Sequence, residues 1–300
     1  MRFRRLFAAP RSSYNFPPMQ VVRTIADCRT ERAKLSRKKL ALVPTMGALH
    51  AGHVSLIEAA KKRAPHVAVS IFVNPTQFGP REDYSKYPRP LEADLAKCEQ
   101  AGVHMVFNPP AEEMYPEGGP QVVVDLPDLT AVLEGKHRPG HFRGVCQVVA
   151  KLFNVLQPDV ACFGHKDFQQ LRVLTAMVEA LNWPIEMVPC PTLREPDGLA
   201  MSSRNQYLSL DERHKALAIP RALQTAEKEF QAGIRQTNRL VATMQNILLP
   251  QHLNIDYVAV VDPVTLKNVD VIKGRAVLAI AARVGTTRLI DNIVIEEGRV

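Results

Sequence analysis

The most informative segment of the sequence reads Leu42-Val43-Pro44-Thr45-Met46-Gly47-Ala48-Leu49-His50-Ala51-Gly52-His53. An apolar run ends at Pro44, small residues follow, and apolar residues at helical spacing then continue to Arg63. This order predicts a strand, a tight turn and the beginning of a helix. Because glycine has no side chain and alanine only a methyl group, a ligand can approach the backbone of this turn closely.

The same turn has features that suit an anion. The beginning of a helix offers free backbone N–H groups and the positive end of the helix dipole. His50 and His53 lie on one side of the first turn, so both can donate hydrogen bonds to phosphate oxygens. We therefore predict a nucleotide triphosphate site. Two other interpretations stay open, in which the histidines are ordinary cap or surface residues, or share a metal ion.

The longer motif Pro-Thr-Met-Gly-Ala-Leu-His-x-Gly-His resembles the pantothenate synthetase family, within the nucleotidyltransferase superfamily that shares His-x-Gly-His. Segments 72–79, 164–170 and 201–204 resemble the same family in the same order, and the resemblance extends from about Met19 to the C-terminus. It implies an ATP-dependent ligase that joins pantoate to β-alanine through a pantoyl adenylate, releasing AMP and pyrophosphate. It also implies a homodimer.

The resemblance assigns roles to individual residues. It implies catalytic roles for His50, His53, Lys166 and Arg204. It implies that Gln77, Gln170 and Met46 bind pantoate and β-alanine. The residues that it implies for ATP binding are Pro44, Thr45, Met46, Gly47, His50, Gly52, His53, Gly164, Lys166, Asp167, Leu193, Met201, Ser202, Ser203 and Arg204.

Magnesium is the cofactor that the resemblance implies beside ATP. Asp94 matches a carboxylate that lies near magnesium in the family, but Ala93 stands where the family often has a second acid. His165 similarly replaces the usual glutamate of the family's Gly-Glu-Lys-Asp motif. The adjacent Lys166 and Asp167 suit a polyphosphate site, since lysine supplies positive charge and a carboxylate can hold a cation.

Strand-like and helical segments alternate regularly up to about residue 192. The strand-like runs are 40–45, 67–73, 103–107, 159–163 and 185–189, and the helical ones are 53–63, 90–101, 143–156 and 168–181. Such alternation predicts a Rossmann-like α/β domain with a parallel sheet that binds ligands at the carboxyl ends of its strands. We assign residues 19–192 to this domain, which would bind ATP and pantoate.

The pattern changes after Arg204. Ser209 and Glu212 form a capping box that opens a helix to about Phe230, and a second helical pattern covers 234–248. Strand-like segments follow at 254–262, 275–284 and 287–295. We predict a smaller α+β domain over residues 193–300 that acts as a lid.

Composition excludes several classes of protein. The 300 residues are 46% hydrophobic and 23% charged, with no run near the roughly 18 apolar residues of a membrane span. Five scattered cysteines without C-x-x-C spacing predict reduced structural thiols in a cytoplasmic protein. Half of the net charge of +8 lies in residues 1–18, and no dense basic run follows, so we expect no nucleic-acid partner.

Residues 1–18 allow two interpretations. They are rich in arginine and free of acidic residues, which is typical of an organellar transit peptide. We favour a disordered N-terminal extension or an upstream start, because the sequence that resembles the family begins at Met19. For the function, another nucleotidyltransferase of the superfamily is the alternative, although the paired glutamines and the Phe-Val-Asn-Pro segment argue against it.

Overall fold

The computed structural model describes residues 18–35, 38–80, 82–119 and 122–298. The predicted N-terminal extension therefore lies outside the described residues except for Pro18. No helix in the described ranges is both long enough and apolar enough to cross a membrane.

A six-stranded parallel sheet lies in the first part of the chain. Its strands are short, and all but the two edge strands consist mainly of buried residues, as expected where both faces of a sheet are covered. They are β1 (Gln20–Val22), β2 (Leu40–Thr45), β3 (His66–Ile71), β4 (Met105–Phe107), β5 (Val160–Gly164) and β6 (Glu186–Cys190). The spatial order is β1-β4-β3-β2-β5-β6, so the strand order reverses between β2 and β5. Open α/β sheets bind ligands at such a point, beyond the carboxyl ends of the strands.

Helices cover both faces of this sheet. They are α1 (Ile25–Lys34), α2 (Ala51–Lys61), α3 (Leu91–Gln100), the short α4 (Ala111–Met114), α5 (Pro127–Thr130) and α6 (Glu134–His137), then α7 (His141–Leu156) and α8 (Phe168–Ala180). Leu42 of β2 packs with α1, α7 and α8, whereas its neighbour Val43 packs with α2 and α3. Successive strand residues thus point into two separate apolar layers.

The C-terminal part combines three further helices with an antiparallel sheet. The elements are α9 (Leu210–Ala216), α10 (Ala218–Gln231), α11 (Thr237–Leu248), β7 (Asn254–Val261), β8 (Arg275–Val284) and β9 (Thr287–Glu296). One face of the sheet packs on α10 and α11, and the other joins the apolar layer of α7 and α8 through Val261 and Val277. The predicted fold class, a parallel α/β domain followed by a smaller α+β unit, is confirmed.

One predicted helix divides into two. Ser209 and Glu212 form the predicted capping box, with N–H to side-chain distances of 2.8 and 3.2 Å. The helix expected to run to about Phe230 nevertheless breaks at Leu217. Pro220 explains the break, since it has no N–H to donate to the carbonyl four residues earlier and its ring crowds that carbonyl. The prediction of one continuous helix is therefore wrong.

Candidate active site

A cavity of about 240 Å³ opens where the strand order reverses, at the carboxyl ends of β2 and β5. The loops that follow these two strands line it, together with the 3₁₀ turn Pro75–Gln77 and the segment 201–204. All predicted site residues line this cavity except Gly47 and Asp94. A second cavity of about 420 Å³ shares Lys166, Asp167 and Arg204 with it and extends to β9.

Two histidines cap α2 with their rings facing each other. Nδ1 of His50 accepts a hydrogen bond from the N–H of Gly52 at 3.1 Å, and Nδ1 of His53 accepts one from the N–H of His50 at 3.3 Å. The ring centroids are 4.1 Å apart. Because a backbone N–H only donates, each neutral ring carries its proton on Nε2. An anion here meets two Nε2–H donors, and the expectation of free backbone N–H groups is wrong for His50 and Gly52.

Burial keeps both rings neutral. It lowers the pKa of His50 to about 4 and the pKa of His53 to about 3, and the positive charges of Lys166 and Lys97 act in the same direction. The histidines therefore donate hydrogen bonds without bringing a charge of their own. Lys166 supplies charge to the cavity, with its Nζ 3.9 Å from Oδ2 of Asp167.

The C-terminal sheet shapes the loop that follows β5. Nδ2 of Asn292, on β9, donates to the carbonyl oxygens of His165 and Lys166 at 3.0 and 2.8 Å. The ring of His165 packs edge-on against Phe168, with centroids 5.9 Å apart. The position of Lys166 in the cavity thus depends on a side chain more than 120 residues away in the sequence.

The segment 201–204 is tied to the loop that precedes α3. Arg204 pairs with Asp83 through Nε and Nη2 at 3.0 and 2.9 Å. Oγ of Ser203 lies 3.2 Å from the hydroxyl of Tyr87. These contacts connect two cavity-lining loops that come from distant parts of the chain.

Gln77 is buried and held at both ends of its amide. Its Oε1 accepts from Nδ2 of Asn74 at 3.1 Å, and its Nε2 lies 3.1 Å from Sδ of Met46. Only 9% of Gln77 is exposed, yet the residue lines the cavity. A ligand hydroxyl or carboxylate that replaced the weak thioether acceptor would gain a full hydrogen bond.

The adjacent Gln169 and Gln170 have different environments. Gln170 lines the cavity. Gln169 is buried, and its amide bonds the backbone of segment 129–134 at 2.8 to 2.9 Å. The second glutamine of the pair is thus available to a ligand, while the first connects α8 to α5 and α6.

Gly47 and Asp94 are the two predicted site residues that do not line this cavity. The carboxylate of Asp94, which is 1% exposed, accepts the N–H groups of Ala48 and Leu49 at 2.8 and 2.7 Å. Gly47, at φ +82°, lies directly beside it. Asp94 therefore fixes the loop after β2 and does not line the central cavity, and this geometry argues against its predicted role as a metal ligand. In the described ranges no group of three His, Cys, Asp or Glu residues could hold a metal ion.

Asn74, Arg138 and His141 are among the cavity-lining residues that were not singled out from the sequence. Asn74 lies directly before Pro75, which is typical of a capped turn, but nothing in the pattern points to a ligand. Arg138 and His141 belong to a segment that resembles the family without revealing their roles. Their contacts become visible only once α7 is placed against the turn after β3.

Comparisons with known proteins agree with this geometry. The sequence profile of the pantoate-beta-alanine ligase family matches residues 20–294. A pantothenate synthetase from Thermoanaerobacter sp. (strain X514) is 50% identical over 278 residues, which cover 92% of this chain and 98% of that protein.

Solved structures give the same result. The pantothenate synthetase of Thermus thermophilus has a TM-score of 0.87 at 46% identity, covering 92% of this chain and 99% of that one. The pantoate-beta-alanine ligase of Francisella tularensis, crystallised with βγ-ATP and β-alanine, has a TM-score of 0.76 at 33% identity, covering 92% and 97%. The matches span the parallel sheet, the cavity where its strand order reverses, and the antiparallel sheet. The chain therefore belongs to the pantoate–β-alanine ligase (pantothenate synthetase) family.

Proposed function

We propose that this protein condenses pantoate with β-alanine to pantothenate at the expense of ATP, through pantoyl adenylate. We assign this chemistry to the cavity where the strand order reverses, on the basis of one observation. Paired Nε2–H donors and Lys166, suited to phosphate, share that cavity with Gln77 and Gln170, suited to a small hydroxy acid.

In the first half-reaction, a carboxylate oxygen of pantoate attacks the α-phosphorus of ATP, and the bond to pyrophosphate breaks. Negative charge grows on the phosphate oxygens as the leaving group departs. His50 and His53 stabilise it through Nε2–H donors, and Lys166 stabilises it through its charge. Preorganised donors of this kind contribute about 3–4 kcal/mol each.

In the second half-reaction, the amine of β-alanine attacks the acyl carbon of the adenylate. The C–N bond forms, the C–O bond to AMP breaks, and the amine loses a proton. The protein holds the two reactants together and forms no covalent bond itself. The thiols agree with a mechanism that needs no cysteine nucleophile. All five cysteines are buried, and burial raises the pKa of Cys28, Cys98 and Cys146 to about 12.

Arg204 is the proposed contact of the leaving pyrophosphate. Its pairing with Asp83 uses Nε and Nη2, so Nη1 is the nitrogen that we assign to phosphate. The rest of segment 201–204 would follow, with Ser202 and Ser203 as hydroxyl donors. The remaining predicted ATP contacts, from Pro44 to Leu193, stay a prediction of the same proposal.

Magnesium would arrive with the triphosphate. Mg²⁺ usually binds one or two carboxylates together with substrate phosphates, and the described chain offers no multi-residue cage of its own. Asp167 lines both cavities beside Lys166, so we propose it as the carboxylate that faces the ion. The ion would neutralise phosphate charge. Replacing Asp167 with Asn should raise the Mg²⁺ concentration at which ATP binds half-maximally.

The function is tested by supplying the protein with Mg²⁺, ATP and pantoate, with and without β-alanine. We expect AMP and an amide-linked product in equal amounts only when β-alanine is present. Multiple-turnover release of pyrophosphate without an amide product would indicate a nucleotidyltransferase without ligase activity, and AMP release that ignores β-alanine would contradict the proposed ligase. The homodimer stays a prediction, which light scattering of the purified protein tests.

A further inference from the structure

The backbone of Gln77 is held by the first turn of α7. Nδ1 of His141 lies 2.8 Å from the carbonyl oxygen of Gln77, and Nη1 of Arg138 lies 3.0 Å from Nε2 of the same ring. A guanidinium can only donate, so Nε2 accepts and the neutral ring carries its proton on Nδ1. His141 therefore donates to the carbonyl of Gln77.

Arg138 is fixed in turn by an ion pair. Its Nε and Nη2 donate to the two carboxylate oxygens of Glu82 at 2.7 and 2.8 Å. This fork leaves Nη1 directed at His141. Burial lowers the pKa of His141 to about 4, and the charge of Arg138 acts in the same direction, so the ring stays neutral near pH 7.

The side chain of Gln77 depends on the same helix. Nδ2 of Asn74 donates to Oε1 of Gln77 and also to the carbonyl oxygen of Gly144, both at 3.1 Å. The first two turns of α7 thus determine where both the backbone and the amide of Gln77 lie.

We infer that His141 is a positioning residue, which holds the turn Pro75–Gln77 so that the amide of Gln77 faces the hydroxy-acid substrate. The inference rests on the proposed role of Gln77 in binding pantoate. Without the Nδ1–H donor, the carbonyl of Gln77 loses its 2.8 Å hydrogen bond and keeps only the 3.5 Å contact with Nη2 of Arg138, so the turn relaxes. We expect little change in the proposed ATP site, because the ring of His141 bonds Gln77 and Arg138 and not the loops after β2 and β5.

Two substitutions at one position separate donation from packing. The amide nitrogen of asparagine can occupy the place of Nδ1, so His141→Asn keeps the donor, whereas His141→Leu removes it. We expect His141→Leu to raise the Kd of pantoate by about tenfold and to leave the Kd of ATP within about twofold. His141→Asn should recover most of the pantoate affinity. Isothermal titration of the full-length protein with each ligand measures both constants.

A matched control addresses general destabilisation. Val155 is buried on the same helix, near its other end and away from the cavity. Val155→Ala should lower the melting temperature without changing the Kd of pantoate. An equal loss of pantoate affinity in Val155→Ala and His141→Leu would overturn the inference, as would a failure of His141→Asn to rescue.

A double substitution tests whether His141 acts through Gln77. We expect Gln77→Ala to weaken pantoate binding and the added His141→Leu to weaken it no further, whereas additive losses would overturn the inference. If Gln77→Ala leaves pantoate affinity unchanged, the proposed role of Gln77 fails. If Gln77→Ala weakens pantoate while His141→Leu does not, only the positioning role fails.

Discussion

His53 is the residue whose chemistry the local geometry defines most closely. Its Nδ1 is engaged by a backbone N–H, and burial lowers its pKa to about 3, so its one donor is Nε2–H. We expect His53→Ala to slow adenylation about 10²–10³-fold, because one preorganised donor to the developing charge is lost. Single-turnover formation of pantoyl adenylate, followed by rapid quench, measures the change.

The control for this substitution is His214→Ala, which removes an exposed histidine from α9. It should leave the adenylation rate unchanged. A near-native rate in His53→Ala would remove His53 from the set of phosphate donors.

Asp94 gives a second prediction, which separates loop support from metal binding. In Asp94→Asn the new NH₂ group faces the N–H of Ala48 or Leu49, and one buried hydrogen bond is lost. We expect a stability loss of about 1–3 kcal/mol and weaker ATP binding. The Mg²⁺ concentration for half-maximal adenylation should not change. Urea unfolding and a Mg²⁺ titration measure the two effects.

Glu92→Gln on the same helix removes an exposed carboxylate and serves as the control. It should change neither stability nor ATP binding. If Asp94→Asn kept its stability but required much more Mg²⁺, the metal role that the sequence suggested would have to be restored.

Among the helices and turns, α7 and the turn Pro75–Gln77 pack so closely that almost no additional atom fits between them. A Cβ on Gly144 would lie 2.3 Å from the carbonyl oxygen of Thr76. Gly144→Ala must therefore push the helix and the turn apart. We expect a stability loss of about 1–3 kcal/mol and weaker pantoate binding, because the turn carries Gln77. Urea unfolding and titration with pantoate measure the two losses.

Gly79→Ala is the matched substitution in the neighbouring loop, since a Cβ there would meet only the side chain of Glu82, at 3.8 Å. Gly79→Ala should leave both the stability and the pantoate affinity nearly unchanged. Native pantoate affinity in Gly144→Ala would mean that the position of the turn does not matter for this substrate.

The strands and helices also show how much of the fold could be predicted from the sequence. Each strand from β2 to β9 was predicted within about two residues, because apolar runs bounded by loops give a strong periodic signal. The first strand and α1 were not predicted. β1 has only three residues, and α1 buries just Cys28, so neither shows a clear apolar period.

Site residues could be predicted where they belong to a short, continuous sequence motif. His50, His53 and Lys166 belong to such motifs and line the cavity. The support of His141 for Gln77 could not be predicted, because it joins residues 64 positions apart. The contacts of Asp94 could not be predicted for a similar reason, since its partners Ala48 and Leu49 lie on another loop.

For the whole molecule, a largely buried ionic cluster joins α6 to the antiparallel sheet. Glu134 on α6 accepts from Arg288 of β9 at 2.8 Å and from the hydroxyl of Tyr257 at 2.9 Å. Arg288 also pairs with Asp256 at 2.6 Å. Burial acts to raise the pKa of Glu134, but the bonds and charge of Arg288 outweigh it and lower the pKa. Glu134 and Arg288 thus stay ionised near neutral pH and tie α6 to the C-terminal sheet.

Three histidines, of which His141 is buried and His50 and His53 are half-buried, make the stability of the whole chain depend on pH. The pKa falls from 6.5 to about 4 in His50, about 3 in His53 and about 4 in His141, mainly because of burial. Below about pH 6.5 the unfolded chain binds protons at these three sites and the folded chain does not. The free energy of unfolding must then decrease as the pH falls from 7 to 5.5, by about 1 kcal/mol for each histidine.

Carboxylates such as Glu134 add a loss of the same sign, but only at lower pH, where unfolded carboxylates begin to bind protons. The window between about pH 7 and 5.5 therefore isolates the histidines. Urea unfolding at intervals across this window measures the slope. His141→Asn, which cannot be protonated, should remove about a third of the slope attributed to the three histidines. A stability that stays constant from pH 7 to 5.5, or a variant that keeps the full slope, would contradict the neutral state assigned to these rings and with it the hydrogen-bond directions at His50, His53 and His141.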